Sequence, residues 1–392
     1  MLDFTFCSPT EFVFGRGSEQ KTGERVRAHG GTRALVHYGG GSVVRSGLLD
    51  RVLRSLEEAG ITYVTLGGVE PNPRSGLVYE GIDLCRREGV DFILPVGGGS
   101  AIDSGKAIAL GVGDDGDFWD FFCGKRTVTH HCLPIGVVLT IPAAGSEGSV
   151  SAVITQEDGM FKRGLNNEEH RPRFAIMNPE LTYTLPPFQT ACGIADMMCH
   201  IMERYFTNTR DVDLTDRMCE AVLQSIILAA PKVMAAPCDY EARAQLMWAG
   251  MLAHNNLLGV DRAQDWASHQ IEHELSALYG VAHGAGLSVV FPAWMHHQLD
   301  HNPMRFAQFA VRVWGCSMCF EDPEESGREG IARLTSFWQA LGLPTTFAAL
   351  GARAEDIPAL AAKVVRSPQG TCGGFRPLDT AGIEAMLRRA CQ

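Results

Sequence analysis

The sequence lacks basic character: 34 Lys and Arg stand against 45 Asp and Glu, a net charge of −11 over 392 residues. Phosphate backbones and anionic bilayer surfaces are gripped by clustered Lys and Arg, so neither nucleic acid nor a membrane surface is an expected partner. An apolar run of the ~18 residues that a membrane-crossing helix needs is also missing. The stretch 287–295 is far shorter. The opening MLDFTFCSPTEFVFG has no basic leader region and reads as a strand alternating through Phe4 and Phe6. There is no collagen-like period among the 43 glycines, which leaves tight turns and close backbone approach as their uses. The 12 cysteines are scattered, with no export signal before them, and are expected as reduced, mostly buried thiols in a cytoplasmic chain. Cys316 and Cys319 form one C-x-x-C with no second pair at zinc spacing.

What is present changes character once. Up to about residue 185, short β-branched runs (34–38, 63–66, 92–96 and 136–140) alternate with helix-like stretches (47–59 and 75–88). That alternation predicts an α/β domain, a parallel sheet with helices on both faces, over 1–185. Pro186-Pro187 then suits a helix start, and 186–392 reads as all-helical. Helices are expected over 188–206, 213–234, 240–257, 265–278, 284–299, 331–341 and 380–389.

Two glycine runs each follow a strand. Gly39-Gly40-Gly41-Ser42 follows the first, and Gly97-Gly98-Gly99-Ser100 follows the third and leads into a helix carrying Asp103 and Lys106. Neither is G-x-G-x-x-G. Even so, glycines let a backbone approach a pyrophosphate, and a helix N-terminus favours its negative charge. Ser100 also suits a helix cap with Asp103 as its box partner. A third polar turn, from Thr140 to Ser149, follows another strand, and strand C-termini are where open α/β sheets bind ligands.

The helical half carries a dispersed donor set. Asp196 and His200 are four apart and share a helix face; His269 and His273 repeat the spacing, and His283 follows the Gly280 turn. One carboxylate and several imidazoles from three helices suit a divalent ion, Zn²⁺ or Fe²⁺. H-E-x-x-H is absent, and spacing does not rank His269 against His273. His254, His296, His297 and His301 lack such partners and read as structural or solvent-facing.

Together, YGGGS at 38–42, VGGGSAIDSGKAIA at 96–109, TIPAAGSE at 140–147 and SHQIEHELSALYGVAHGAGLSVVFPAWM at 268–295 resemble the iron-containing (group III) alcohol dehydrogenase family. The similarity is strongest to its butanol-dehydrogenase-like aldehyde reductase branch. The resemblance implies a dinucleotide-binding α/β domain followed by a helical metal domain. It implies Asp196, His200, His269 and His283 as metal ligands, with His273 unligated beside the metal. For the cofactor it implies Gly98, Gly99, Ser100 and Asp103, with Thr140, Ser149 and Lys162 nearby; the first glycine turn adds Gly40, Gly41 and Ser42. Ala144 and Asn178 depart from the Thr and Asp commoner at those places.

The expected activity is metal-dependent exchange of hydride between NADP(H) and a small aldehyde, or a primary alcohol in reverse. An imidazole left unligated beside a cation stays neutral near pH 7, so His273 can pass the proton, as can a ribose hydroxyl or water. NADPH is expected over NADH because no carboxylate follows the first glycine turn before Asp50, while Arg45 stands close behind it. A homodimer through the opening strand is expected by analogy. The alternatives are a glycerol-dehydrogenase- or dehydroquinate-synthase-like enzyme on the same scaffold, or a metal- or nucleotide-binding protein without turnover.

Overall fold

The structure, a computed structural model, describes residues 1–365 and 367–391. It divides into two compact units: Cys7–Leu185, and a second that joins Met1–Phe6 to the chain from Pro186 on.

The first unit runs β1 (Glu11–Phe14), α1 (Thr22–Ala28), β2 (Arg33–Gly39), α2 (Ser42–Arg45), α3 (Leu48–Glu58), β3 (Thr62–Val69), α4 (Ser75–Glu88), β4 (Phe92–Gly97) and α5 (Gly99–Val112). It continues with α6 (Trp119–Phe122), β5 (Gly136–Leu139), β6 (Ser151–Gln156), β7 (Phe161–Asn166) and β8 (Phe174–Met177). Six strands form a parallel sheet in the order β1-β8-β5-β4-β2-β3, and β6 pairs with β7 as a separate antiparallel hairpin. The central strands are apolar along their length because both faces are covered: β4 is buried throughout, and β2 from Ala34 to His37. Pro95 lies inside β4 and offers no N–H. The ladder to β5 is interrupted there, with Ile93 bridging Ile135 and pairing resuming at Val96 and Val138. Helix α5 packs close over that point because Gly105 has no side chain; a Cβ there would stand 2.5 Å from Pro95 Cγ.

The expected opening strand through Phe4 and Phe6 is not formed, and the first strand starts at Glu11. Leu2 N–H instead donates to Asp261 O (2.7 Å) in the helical unit, and Leu2, Phe4 and Phe6 are exposed. Strands β6 and β7 gave no apolar alternation because the hairpin carries Lys162, Arg163 and Asn166.

The second unit comprises α7 (Pro187–Tyr205), α8 (Asp213–Ala235), α9 (Tyr240–His254), α10 (Ala267–Tyr279), α11 (His283–Gln298), α12 (Pro303–Trp314), α13 (Pro323–Ala340), α14 (Phe347–Leu350), α15 (Ile357–Lys363) and α16 (Thr380–Arg389). Phe206, Phe291, Trp294, Phe306 and Trp338 centre its core. One expectation is corrected here. Helix α8 is long and apolar enough, by length and composition, to cross a membrane. Glu220 and Lys232 break its run in the sequence. Within the fold its apolar side is already used: Cys219, Leu223, Ile226 and Ala230 are buried in the helical core. Its Asp216 pairs with Arg262 (2.7 Å) and Arg305 (2.5 Å).

Candidate functional site

In the α/β unit, β2 and β4 are neighbours with Tyr38 level with Val96. From β2 the chain goes outward to β3, and from β4 it goes the other way to β5. The strand order therefore reverses between them, and a crevice at such a reversal is where open α/β sheets bind ligands. Both glycine turns leave the sheet there. Gly41 has φ 110, a left-handed conformation that glycine adopts freely, and the place of a Cβ on Gly40 is open space. Gly98 and Gly99 meet the third turn instead: Cβ atoms on them would stand 2.9 Å from Ile141 Cβ and 3.0 Å from Ala144 Cβ. The α5 N-terminus follows directly. The first N–H groups of an α-helix have no intrahelical partner, which suits a phosphate.

The expected cap is corrected. Helix α5 begins at Gly99 with Gly98 as its N-cap and no side-chain cap bond, so Ser100 lies inside the first turn. Asp103 is not its box partner. Its Oδ1 accepts from Ser146 Oγ (2.6 Å) and its Oδ2 from Val153 N (2.9 Å). The buried Lys106 donates to Ser146 O, Ser149 O and Ser151 O at 2.8, 2.9 and 2.8 Å. Burial lowers this ammonium to about 8 in spite of Asp103 nearby. Ser149 Oγ accepts from Ser151 N (3.2 Å), Thr140 N donates to Gly97 O (3.0 Å), and Lys162 Nζ donates to Asn72 Oδ1 (2.9 Å). Asp103 and Lys106 thus fasten the third turn against α5. A lysine set directly before the apolar run 107–110 was the available signal. Asn178 caps a turn, accepting from Glu180 N (3.1 Å) and donating to Glu19 Oε2 (2.9 Å).

In the helical unit, α7 presents Asp196 and His200 one turn apart, α10 presents His269, and α11 begins at His283. Asp196 Oδ1 is the hub. His200 Nδ1 lies 3.4 Å from it, and His269 Nε2 and His283 Nε2 each lie 3.7 Å from it. Asp196 Oδ1, His200 Nδ1 and His269 Nε2 are buried and have no hydrogen-bond partner among the described residues. Buried polar atoms are rarely left so, and a carboxylate oxygen facing imidazole nitrogens has the chemistry of a divalent-cation site. His273 stands apart from Asp196, grouped with Glu272 and His283, its ring 5.7 Å from that of His283.

Burial opposes charge on His269, but Asp196 and Glu203 outweigh it and push the imidazole up to about 9. His200 is driven well below its ordinary value by burial and by the neighbouring His254 and His269. A cation among these atoms would take the place of the His269 proton, and its uptake would then be coupled to proton release. Three participants were missed. His254, set aside in the sequence, has its ring 4.1 Å from that of His200. Glu203 Oε1 lies 3.0 Å from His269 Nδ1, and Glu272 Oε2 bonds His283 Nδ1. The signal for Glu203 was its place seven residues after Asp196, on the same helix face.

Residues 9–179 match the family described as iron-containing alcohol dehydrogenase, and residues 190–391 match the Fe-containing alcohol dehydrogenase family, C-terminal. The chain is 40% identical over 388 residues to "Probable NADH-dependent butanol dehydrogenase 1" of Bacillus subtilis, covering 99% of each. It is 36% identical over 366 residues to the "NADPH-dependent aldehyde reductase YqhD" of Escherichia coli, covering 93% of each. The solved NADH-dependent butanol dehydrogenase A of Thermotoga maritima superposes with a TM-score of 0.96 at 37% identity, covering 100% of this chain and 99% of that one.

Proposed function

This chain belongs to the iron-containing alcohol dehydrogenase family, and we propose that within it the protein is a metal-dependent NADP(H) aldehyde reductase acting on small aldehydes, or on primary alcohols in reverse. Alcohol dehydrogenase activity with a divalent metal and a nicotinamide cofactor is the property of the family; the choice of NADPH, the ligand set and the role of His273 are our reading. The observation that carries it is the set of buried, unpartnered atoms of Asp196, His200 and His269. With His283 they supply one carboxylate and three imidazoles, which fits Fe²⁺ or Zn²⁺. When bound, such an ion supplies Lewis-acid stabilisation of negative charge on the substrate oxygen.

The chain's own groups do the rest. The turns at Gly40-Gly41-Ser42 and Gly98-Gly99-Ser100 would hold the dinucleotide, and the α5 N-terminus would supply N–H groups for its negative charge. Asp103, Ser149, Thr140 and Lys162 fix and flank that bed. His273 moves a proton to or from the substrate oxygen. NADPH is favoured because no carboxylate lies between Gly39 and Gly47, and Arg45 Nη1 stands 3.2 Å from the place of a Gly41 Cβ. A guanidinium and a small hydroxyl suit a 2′-phosphate, where an acid would repel it. No disulfide joins any of the 12 cysteines among the described residues, which suits the cytosol. The β1 edge has only β8 beside it and suits a homodimer, for which solution molecular mass is the check.

The deciding experiment measures NADPH and NADH consumption against a panel of aldehydes, in chelated enzyme and after adding Fe²⁺ or Zn²⁺. Metal-restored turnover with higher kcat/KM for NADPH supports the reading. Turnover indifferent to metal, or better with NADH, overturns its corresponding part.

A further inference from the structure

Two of the three imidazoles that face Asp196 Oδ1 through Nε2 or Nδ1 have a carboxylate behind them. His269 directs Nε2 to Asp196 and Nδ1 to Glu203 Oε1 (3.0 Å); His283 directs Nε2 to Asp196 and Nδ1 to Glu272 Oε2. Both glutamates are fully buried. A carboxylate at Nδ1 holds the proton on that nitrogen, which leaves the lone pair on Nε2 and fixes the ring's orientation. Glu203 does more. Its Oε2 accepts from Trp266 N (2.7 Å) and its Oε1 from His269 N (3.1 Å), so it also caps the N-terminus of α10. Trp266, with φ 71, is held in a left-handed conformation unusual for a bulky side chain.

The Glu272 side chain reaches His283 only because α11 makes room. A Cβ on Gly286 would stand 2.5 Å from Glu272 Oε1, 2.7 Å from its Cγ and 3.0 Å from its Cδ. Glycine inside a helix is unfavourable relative to alanine, so its presence there needs a local reason. The Glu272 carboxylate supplies one.

We infer that Glu203 and Glu272 are positioning residues that aim His269 and His283 at the cation, and that Gly286 is the space that lets Glu272 do so. The inference rests on the ligand reading proposed above. Its boldest consequence is that Gly286→Ala weakens metal binding although it introduces no charge, removes no donor and improves helix propensity.

The test strips the protein with a chelator and titrates Zn²⁺ back against a chromophoric competitor. It also records the visible spectrum of the Co²⁺-loaded protein and the Tm of each metal-free form. Glu272→Ala is expected to weaken metal binding by about 10- to 100-fold, and Gly286→Ala by about 10-fold, each with a shifted Co²⁺ band and a metal-free Tm near that of the parent. Glu272→Gln keeps an acceptor for the Nδ1 proton and is expected to lie closer to the parent than Glu272→Ala. Because Glu203 also caps α10, Glu203→Gln is the informative change there; if Glu272→Ala fails to fold, Glu272→Gln and Gly286→Ala decide. Parent-like affinity and spectrum in Gly286→Ala and in the Glu272 variants overturn the inference. Parent-like binding in Asp196→Ala overturns the ligand reading itself, so the two failures are distinguishable.

Discussion

The two candidate sites, one in each unit, are built from different materials. In the α/β unit the bed is backbone: glycine turns at adjacent strand ends and the start of α5, fastened by Asp103 and Lys106. In the helical unit it is side chain: four groups from three helices, two of them backed by buried carboxylates. A backbone site is set by where strands end, so it survives most side-chain changes and suffers from added bulk. A side-chain site depends on each donor and on what stands behind it. Two buried histidines, one in each unit, are shifted in opposite directions. His37 in β2 bonds Leu66 O through Nδ1 (2.9 Å) and Ser104 Oγ through Nε2 (2.8 Å), and burial lowers it to about 4. His269 sits between carboxylates and is pushed up to about 9.

The contrast is broken most severely by removing a donor. Asp196→Ala or His283→Ala is expected to abolish retained metal, measured by elemental analysis, and to lower kcat by about 10³-fold or more, as expected where an ion supplies several kcal/mol of charge stabilisation. The fold, followed by far-ultraviolet circular dichroism, is expected to persist. Full activity in chelated protein would sink this prediction.

Next comes acid. His37 has a folded pKa below its unfolded value of 6.5, so its contribution is present above that value and is lost as pH falls toward 4. The loss is about 3 kcal/mol. Denaturant midpoints at pH 7 and pH 4 check it: His37→Gln should flatten the acid decline relative to the parent. An unchanged slope would show that His37 is not the group responsible.

His273→Ala sharpens the comparison inside the helical unit. Metal content should match the parent while kcat falls by about 10²-fold, in line with loss of a positioned proton donor. His269→Ala should lose metal instead. If His273→Ala is the variant that arrives without metal, the two roles are reversed.

The smallest effect belongs to the glycine turn. Ser42→Asp or Gly41→Asp is expected to reduce the NADPH-over-NADH ratio of kcat/KM by about tenfold, roughly the 1.4 kcal/mol of one added repulsion. Metal content should not change. A variant that also loses metal would contradict the separation between a backbone site and a side-chain site.

How legible each half was follows from the same difference. The glycine turns are contiguous, so a short window of sequence displayed them, and β4 and α4 lie where apolar runs and periodicity placed them. The Asp/His set was also readable, because helical spacing marks shared faces. What was hidden is contact between distant elements. Nothing local distinguishes Glu272 in H-Q-I-E-H from a surface residue, and only the approach of α11 at Gly286 reveals its direction. His254 was hidden likewise, since its neighbour His200 lies on a different helix. Asp103 misled because a cap pattern fitted it locally, while its oxygens go to residues 146 and 153. The opening Phe4-Phe6 alternation misled because alternation needs a partner strand to become one.

Those opening residues bear on how the chain is made. Met1–Phe6 belong with the helical unit, and Leu2 is tied to Asp261. Synthesis runs from the N-terminus, and domains generally fold as units. The segment from Cys7 to Leu185 is one continuous stretch and leaves the ribosome whole. The helical unit, in contrast, owns residues made before that stretch, and these wait for Asp261 before they find their place. The nascent protein therefore carries a short segment with three apolar side chains, Leu2, Phe4 and Phe6, through the entire translation of its neighbouring unit. Chaperone engagement is expected at that segment while the α/β unit is being made.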